Sequence, residues 1–542
     1  MRSNETLSGR AWRDDHQADG MNRLDGSGRG PADPQGDDGL AAIGGEVIDI
    51  VDAPAIAPAA PLTHEEIRTI VLSLMLNMFL SALDQTIVAT ALPTIGQQFR
   101  DVSNLSWIIT AYLLSSTAVA PVYGALSDIY GRRAMIITAT SLFLVGSVVC
   151  ALSQDILTLI LARGLQGLGG GGILPLVQTL VADIVSPRER GRYQAYFSSV
   201  YVAAGVGGPV LGGVFAEHLH WSMIFWINLP LGILSLALLL PRMKKIPVYH
   251  RPRKLDWAGG VLLMASAVIF LLVLTWGGHQ LAWLSPTLLA MVGSAVLLTS
   301  AFIWHARTTE EPFLPIPLIS GPVVPYAMIS GGCALGAMIA LTVHMPLYYE
   351  TVYQLGASEA GIALIPLVAV TVFGAWIAGR VMMRTRHYKW AAIVGASMAT
   401  LCALVLAFAT PLPLWTVLTL LALYALGLGT CFPVSVVSIQ NAVARTQVGT
   451  ATGALNFVRA LMSSFAVALF SAILLMALGR NISIGEQGGG AHGITPQDMI
   501  AGFRYLFGAA ALFMATAATL FLLMEGRPLA GPPDVQAAEM AE

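Results

Sequence analysis

Fourteen apolar runs of about twenty residues follow one another along the chain, each long enough to cross a bilayer as a helix. They span 68–92, 105–126, 134–152, 156–181, 194–216, 222–240, 256–276, 285–305, 324–347, 360–381, 391–410, 414–437, 450–478 and 503–524. A helix satisfies all its backbone donors and acceptors internally, so this patterning predicts an all-α polytopic membrane protein. The composition agrees. Over 542 residues, 56% are hydrophobic and only 11% charged, too apolar for a soluble chain of this size. The formal net charge of −2 implies no nucleic-acid partner.

The distribution of charge says more than its sum. With the first helix running from inside to outside, Arg132, Arg133, Arg188, Arg190, Arg192, Arg242, Lys244, Lys245, Arg251, Arg253, Lys254, Arg384, Arg386 and Lys389 all fall in even-numbered turns. The odd-numbered connections hold little beyond Arg100, Arg480 and Arg504. Basic loops stay on the cytoplasmic side, so both termini are expected in the cytoplasm. Residues 1–66 are rich in Asp, Gly, Pro and Arg and lack a signal-peptide core, which reads as a disordered cytoplasmic tail. Cys150, Cys333, Cys402 and Cys431 lie inside apolar runs without metal-ligand spacing, so they are expected to pack; no metal site or cofactor is legible.

One carboxylate stands in the middle of the first run. An Asp at a helix centre costs roughly +2.5 to +3.5 kcal/mol on insertion scales, so Asp84 must face a partner, a cavity or a water path. Asn77, Ser81 and Asp84 share one helical face, and Gln85 adjoins it. The fourth run carries Arg163, Gln166, Gly167 and Gly170 on one face, with Arg163 at a depth comparable to Asp84. The bland alternative is a static ion pair; the sharper one is proton or substrate coupling. In the thirteenth run Thr452, Asn456, Arg459 and Ser463 form a polar stripe, making Asn456 and Arg459 candidates to line a cavity together with Asn77, Ser81, Gln85 and Gln166.

Two further stretches are patterned. Gly124, Asp128, Gly131, Arg132 and Arg133 make a tight inner turn between the second and third runs. In the fifth run Gly205, Pro209 and Gly213 recur every four residues, with Gly208 and Gly212 beside them, which predicts a closely packed, bent helix.

The inner turn resembles the signature loop of the major facilitator superfamily, and the Gly-Pro-x-x-Gly-Gly stretch resembles the antiporter motif of its drug exporters. Together with the Leu-Asp-x-Thr-Ile-Val run at 83–88 and Ile227-Asn228-Leu229-Pro230, the set resembles the fourteen-helix drug:proton antiporters, the multidrug-resistance protein B and QacA types. The likeness covers about residues 65–525. One departure is Ala89-Thr90, where that family often has Asn-Val.

The resemblance implies a major facilitator fold: six-helix bundles at 67–241 and 324–524, a basic loop at 242–255, two inserted helices at 256–305 and a cytoplasmic tail at 525–542. It implies proton-coupled efflux of hydrophobic or amphipathic, often cationic, molecules across the cytoplasmic membrane. In that reading Asp84 and Arg163 couple protons, and Asp128, Arg132 and Arg133 lock the outward-facing state. The partners are then small-molecule cargo, protons, the bilayer and, in a two-membrane cell, a periplasmic adaptor. The alternatives are a dedicated exporter of one metabolite, siderophore or lipid, and a non-transporting sensor or scaffold. No Ser/His/Asp or metal-ligand constellation is legible, so an enzyme is not expected, and no P-loop marks an ATP-driven pump.

Overall fold

Thr63 sets the start of the first helix. Its Oγ1 accepts from the Glu66 amide at 3.3 Å while the Glu66 carboxylate accepts from the Thr63 amide at 3.0 Å, a capping box that fixes the first turn. Helix α1 therefore runs from His64 to Phe99, past Pro93, and is longer than the expected run at both ends. The computed structural model describes residues 63–101, 104–245, 255–278, 280–385, 387–478 and 496–529.

The other helices follow in order as α2 Leu105–Tyr130, α3 Arg132–Ala151, α4 Ile156–Ile184, α5 Pro187–His218, α6 Met223–Trp226, α7 Asn228–Leu239, α8 Trp257–Trp276 and α9 Pro286–Thr308. After the short α10 Ile316–Ile319 come α11 Val324–Val352, α12 Ala357–Ala363, α13 Ile365–Arg384, α14 Lys389–Ala409, α15 Leu414–Ala442, α16 Val448–Leu478 and α17 Pro496–Leu523. Among the described residues, thirteen helical segments are long and apolar enough to cross a membrane, and Met223–Leu239 is a shorter apolar fourteenth. Two of the fourteen are interrupted by proline. Pro230 and Pro366 lack the amide that would bond one turn back, and the helix breaks at Ile227 and at Leu364.

The expected boundaries need three corrections. Residues 63–66, assigned to the tail, form the cap and first turn of α1, while 1–62 lie outside the described residues. The fifth run begins at Pro187 rather than 194, because proline suits a first helical turn. In the connection expected from 479 to 502, residues from Pro496 onward are already helical, and 479–495 lie outside the described residues, as do 246–254 of the basic loop and 530–542 of the C-terminal tail.

Glycine decides how closely the helices approach. Gly167 and Gly171 of α4 lie against Tyr112, Ser115 and Ser116 of α2, and Gly169 against Phe143 of α3, so α4 is wedged between those two helices. Gly208 and Gly212 of α5 meet Thr86, Ile87 and Thr90 of α1. In the second half, Gly395 of α14 and Gly427 of α15 touch backbone to backbone. All four cysteines are buried and free.

The pair α8 and α9 packs on itself, and α8 leans on both α2 and α16. Asp256 fastens the pair. Its Oδ1 accepts from the Gly259 amide and bonds His305 Nε2 of α9, each at 2.8 Å, and its Oδ2 accepts from the Phe313 amide at 3.0 Å. Burial pushes this carboxyl up, but the bonds from Gly259, His305 and Phe313 outweigh it and hold it below the usual carboxylate range. The stabilisation is therefore complete above the free-acid value of about 4 and disappears as pH falls through the lowered one. Asp256→Ala is expected to remove about 1–2 kcal/mol of stability at pH 7, with variant and wild type converging in strong acid. Thermal melts across pH check this, and equal midpoints at pH 7 contradict it.

Candidate functional site

Asp84 lies at the centre of a closed polar knot. Its Oδ2 accepts from Arg163 Nη1 of α4 at 2.6 Å, and its Oδ1 accepts from Gln166 Nε2 at 2.9 Å and Asn228 Nδ2 of α7 at 3.0 Å. Ser147 Oγ of α3 accepts from the same two amides, at 2.7 and 3.1 Å. Arg163 also donates to Gln166 Oε1 at 2.6 Å and to the Ile108 carbonyl at 3.2 Å, and its guanidinium sits 4.4 Å from the Tyr112 ring centre. Asp84 is 0% exposed and Arg163 1%.

The glycine-lined wedge of α4 makes this contact, since only a helix seated deeply between α2 and α3 can aim both Arg163 and Gln166 at α1. Sequence reasoning paired Asp84 with Arg163 but missed Ser147 and gave Asn228 no part in the pair. The signal was present, because each is a polar residue inside an otherwise apolar run.

Several cavity candidates lie elsewhere than expected. Asn77 donates to Thr140 Oγ1 at 2.7 Å and is fully buried, and Ser81 pairs with the Tyr112 hydroxyl at 3.3 Å, so both face the interior of the first half rather than a cavity. Gln166 is likewise enclosed in the knot. The reason is register: the face carrying Asp84 must point at Arg163, and its neighbours one turn back follow it into the packing. Gln85, one residue on, is exposed.

The face of the bundle that carries the Arg-rich turns, here the basic face, is latched. Asp128 Oδ1 accepts from Arg132 Nη1 at 2.5 Å and from the Gly449 amide at 3.0 Å, while Oδ2 accepts from the amide and hydroxyl of Thr450, both at 2.7 Å. A carboxylate of the first half thus caps the start of α16 in the second, where backbone amides have no helical partner and the dipole favours an anion. Arg132 Nε also bonds Asp183 of α4 at 3.0 Å. Gly124 permits the approach, since a Cβ there would lie 2.4 Å from the Gly449 carbonyl oxygen. Gly131 turns the chain at φ +88°, which side chains resist. Arg133, grouped with this latch by sequence, is exposed and makes no hydrogen bond or ion pair among the described residues, so it does not join the latch.

A polar seam continues from the latch along the same helices. Asn456 Nδ2 donates to Gln178 Oε1 at 2.7 Å, and Gln440 Nε2 donates to the Gln178 carbonyl and to Thr452 Oγ1, each at 3.3 Å. Three residues beyond Asn456 stands Arg459, 6% exposed, donating to Ser435 Oγ at 2.6 Å and the Phe432 carbonyl at 3.2 Å. Gln178, Gln440, Asp183 and Thr450 escaped sequence reasoning, because each becomes informative only once a distant helix is laid beside it.

The fifth-helix motif divides into two faces. Gly208 and Gly212 pack on α1, whereas at Gly205 and Gly213 a Cβ would meet nothing within 4 Å, and Pro209 between them is exposed. The expectation of a closely packed face at Gly205, Pro209 and Gly213 is therefore corrected to Gly208 and Gly212. Tyr201, one turn earlier on the open face, lies within electrostatic reach of Arg459 across the seam.

A helical bundle latched at one face and built around buried charge is the architecture of a solute carrier, and the family comparison decides which. The model of the Major Facilitator Superfamily matches residues 74–467. The chain belongs to this superfamily. It is 31% identical over 426 residues to "Multidrug resistance protein fnx1" of Schizosaccharomyces pombe, covering 77% of this chain and 80% of that one. It is 33% identical over 312 residues to "Multidrug resistance protein 3" of Bacillus subtilis, covering 58% and 61%. Against "Uncharacterized MFS-type transporter Rv1877" of Mycobacterium tuberculosis it is 31% identical over 442 residues, covering 79% of this chain and 64% of that one. Among solved structures, the human organic anion transporter MFSD10 aligns with a TM-score of 0.58 at 16% identity, and the proton:xylose symporter XylE with 0.57 at 15%, each over 85% of this chain and 99% of that one. These two show the fold alone. As a superfamily member the chain is a multi-pass membrane transporter and not an enzyme.

Three substitutions test this geometry. Arg163→Met leaves a buried carboxylate without its counter-ion and is expected to cost about 3–5 kcal/mol, while adding Asp84→Asn recovers much of it; equal melting of the single and double variants contradicts the pairing. Asp128→Ala is expected to open the latch, lengthening the distance between spin labels at Tyr130 and Arg445, and an unchanged distance distribution argues that the latch contributes nothing.

Proposed function

We propose that this transporter is a fourteen-helix drug:proton antiporter that exports hydrophobic or amphipathic small molecules across the cytoplasmic membrane by alternating access, with its basic face and both termini in the cytoplasm. The observation that carries the reading is the membrane-embedded carboxylate of Asp84, held by three donors. Gln166 gives the pair a second arrangement. Its Oε1 already accepts from Arg163 at 2.6 Å, so it can retain the guanidinium when a proton takes Arg163's place on Asp84.

Alternation then follows from the two faces. In this conformation the cytoplasmic side is latched through Asp128, α16 and the Gln178 seam, which corresponds to an outward-facing state. Proton loading of Asp84 from outside loosens its hold on α4 and α7 and favours the opposite state, in which cargo occupancy and protonation exclude one another. The open stripe at Gly205, Pro209 and Gly213 has no long side chain to obstruct the second half as the outer side closes. Relatives named as multidrug resistance proteins support export over uptake.

Asp84→Asn is expected to reduce proton-driven accumulation of a hydrophobic fluorescent probe inside everted vesicles at least tenfold without lowering the amount of protein in the membrane. Full transport by that variant overturns the coupling role.

A further inference from the structure

Among the described residues, the buried arginines of the first half each have an acid close by. Arg163 has Asp84, Arg132 has Asp128 and Asp183, and Arg190, which caps the end of α4, has Asp183 within electrostatic reach. Arg459 has none: no Asp or Glu among the described residues pairs with it. Its two hydrogen bonds go from Nη2 to neutral oxygens, those of Ser435 and Phe432. Its Nε is sealed from solvent without an acceptor. Nη1 donates to no described group and is not among the sealed atoms, so it is the nitrogen that meets open space.

The position of this cation matters as much as its lack of a partner. It stands about 4.5 Å beyond Asn456 along α16, and Asn456 is where the hydrogen bonds between the halves stop. Arg459 is therefore the first polar side chain of α16 past the contact between the halves. Around it are the ring of Phe432, 5.6 Å from the guanidinium, and the bare backbone of Gly331, and Tyr201 of the other half lies within electrostatic reach. The carboxylate that could attract a cation, Asp84, is walled off behind its three donors.

We infer that Arg459 receives an acidic group of the cargo, so that the exported class is amphipathic molecules with a carboxylate, sulfonate or similar anion on an apolar body. Resting on the efflux reading above, this replaces the expectation of cationic cargo. An anion completes the coordination that the protein leaves unfilled at Nη1, while Phe432 and Tyr201 offer apolar surface to the rest of the molecule. A cation brought to Arg459 meets like charge with no carboxylate to offset it.

Equilibrium binding to the purified full-length protein tests this with two probes of one skeleton, anionic 1-anilinonaphthalene-8-sulfonate and neutral N-phenyl-1-naphthylamine. Arg459→Gln is expected to weaken the sulfonate at least tenfold and leave the neutral probe unchanged, with Arg459→Lys recovering part of the loss. Equal weakening of both probes, or of neither, overturns the inference. Should Arg459→Gln fail to fold, competition on the wild type decides: naphthalene-1-sulfonate must displace the bound anionic probe at least tenfold better than 1-naphthylamine, and equal displacement overturns the inference. Flux separates the two readings. Wild type that binds the sulfonate through Arg459 but extrudes nothing refutes efflux alone, and extrusion with no Arg459 effect on binding refutes the anion site alone.

Discussion

Opposite charges held 2.6 Å apart and buried from solvent fix the arrangement of four helices. Asp84 on α1 and Arg163 on α4 are each too costly to leave alone in hydrocarbon, and the low dielectric that makes them costly also makes their attraction strong. Gln166, Ser147 and Asn228 fill the remaining bonding capacity and so bring α3 and α7 into the same constraint. The glycines of α4 follow from this requirement, because a long side chain at Gly167 or Gly171 would hold the helix away from α2 and the guanidinium short of its partner.

The halves are joined asymmetrically. A second carboxylate, Asp128, satisfies the amides that begin α16, and a short series of amide side chains extends the contact to Asn456. Beyond that point the protein presents small residues and an unfilled guanidinium instead of complementary bonds. A seal made of a few reversible hydrogen bonds on one side and an open, weakly bonded stripe on the other is a mechanical arrangement suited to two states of similar energy. The inserted pair α8 and α9 contacts α2 and α16, the same helices that the latch joins.

Much of this was legible in the amino-acid sequence. Helix number and type followed from run length, and the Asp84 and Arg163 pair followed from depth counting, since two isolated charges in apolar runs have few alternatives to each other. What was not legible depended on rotation and partner choice. Asn77 and Ser81 share a face with Asp84, and nothing in one helix says whether that face looks toward a cavity or toward α2 and α3. Gly205 and Gly208 look alike in sequence, yet one faces open space and the other α1, a difference set by which side of α5 the first half occupies. Arg133 differs from Arg132 by one position, a rotation of about 100° that moves it from the latch to the surface. Asp128's role required knowing that the start of α16, more than three hundred residues later, lies beside it.

The central claim is that Asp84 gives up a proton when cargo binds. Adding saturating 1-anilinonaphthalene-8-sulfonate to purified protein in weakly buffered detergent, with a soluble pH indicator, measures this directly. The account predicts release of roughly one proton per wild-type molecule and none from Asp84→Asn. The same release from both proteins would contradict it.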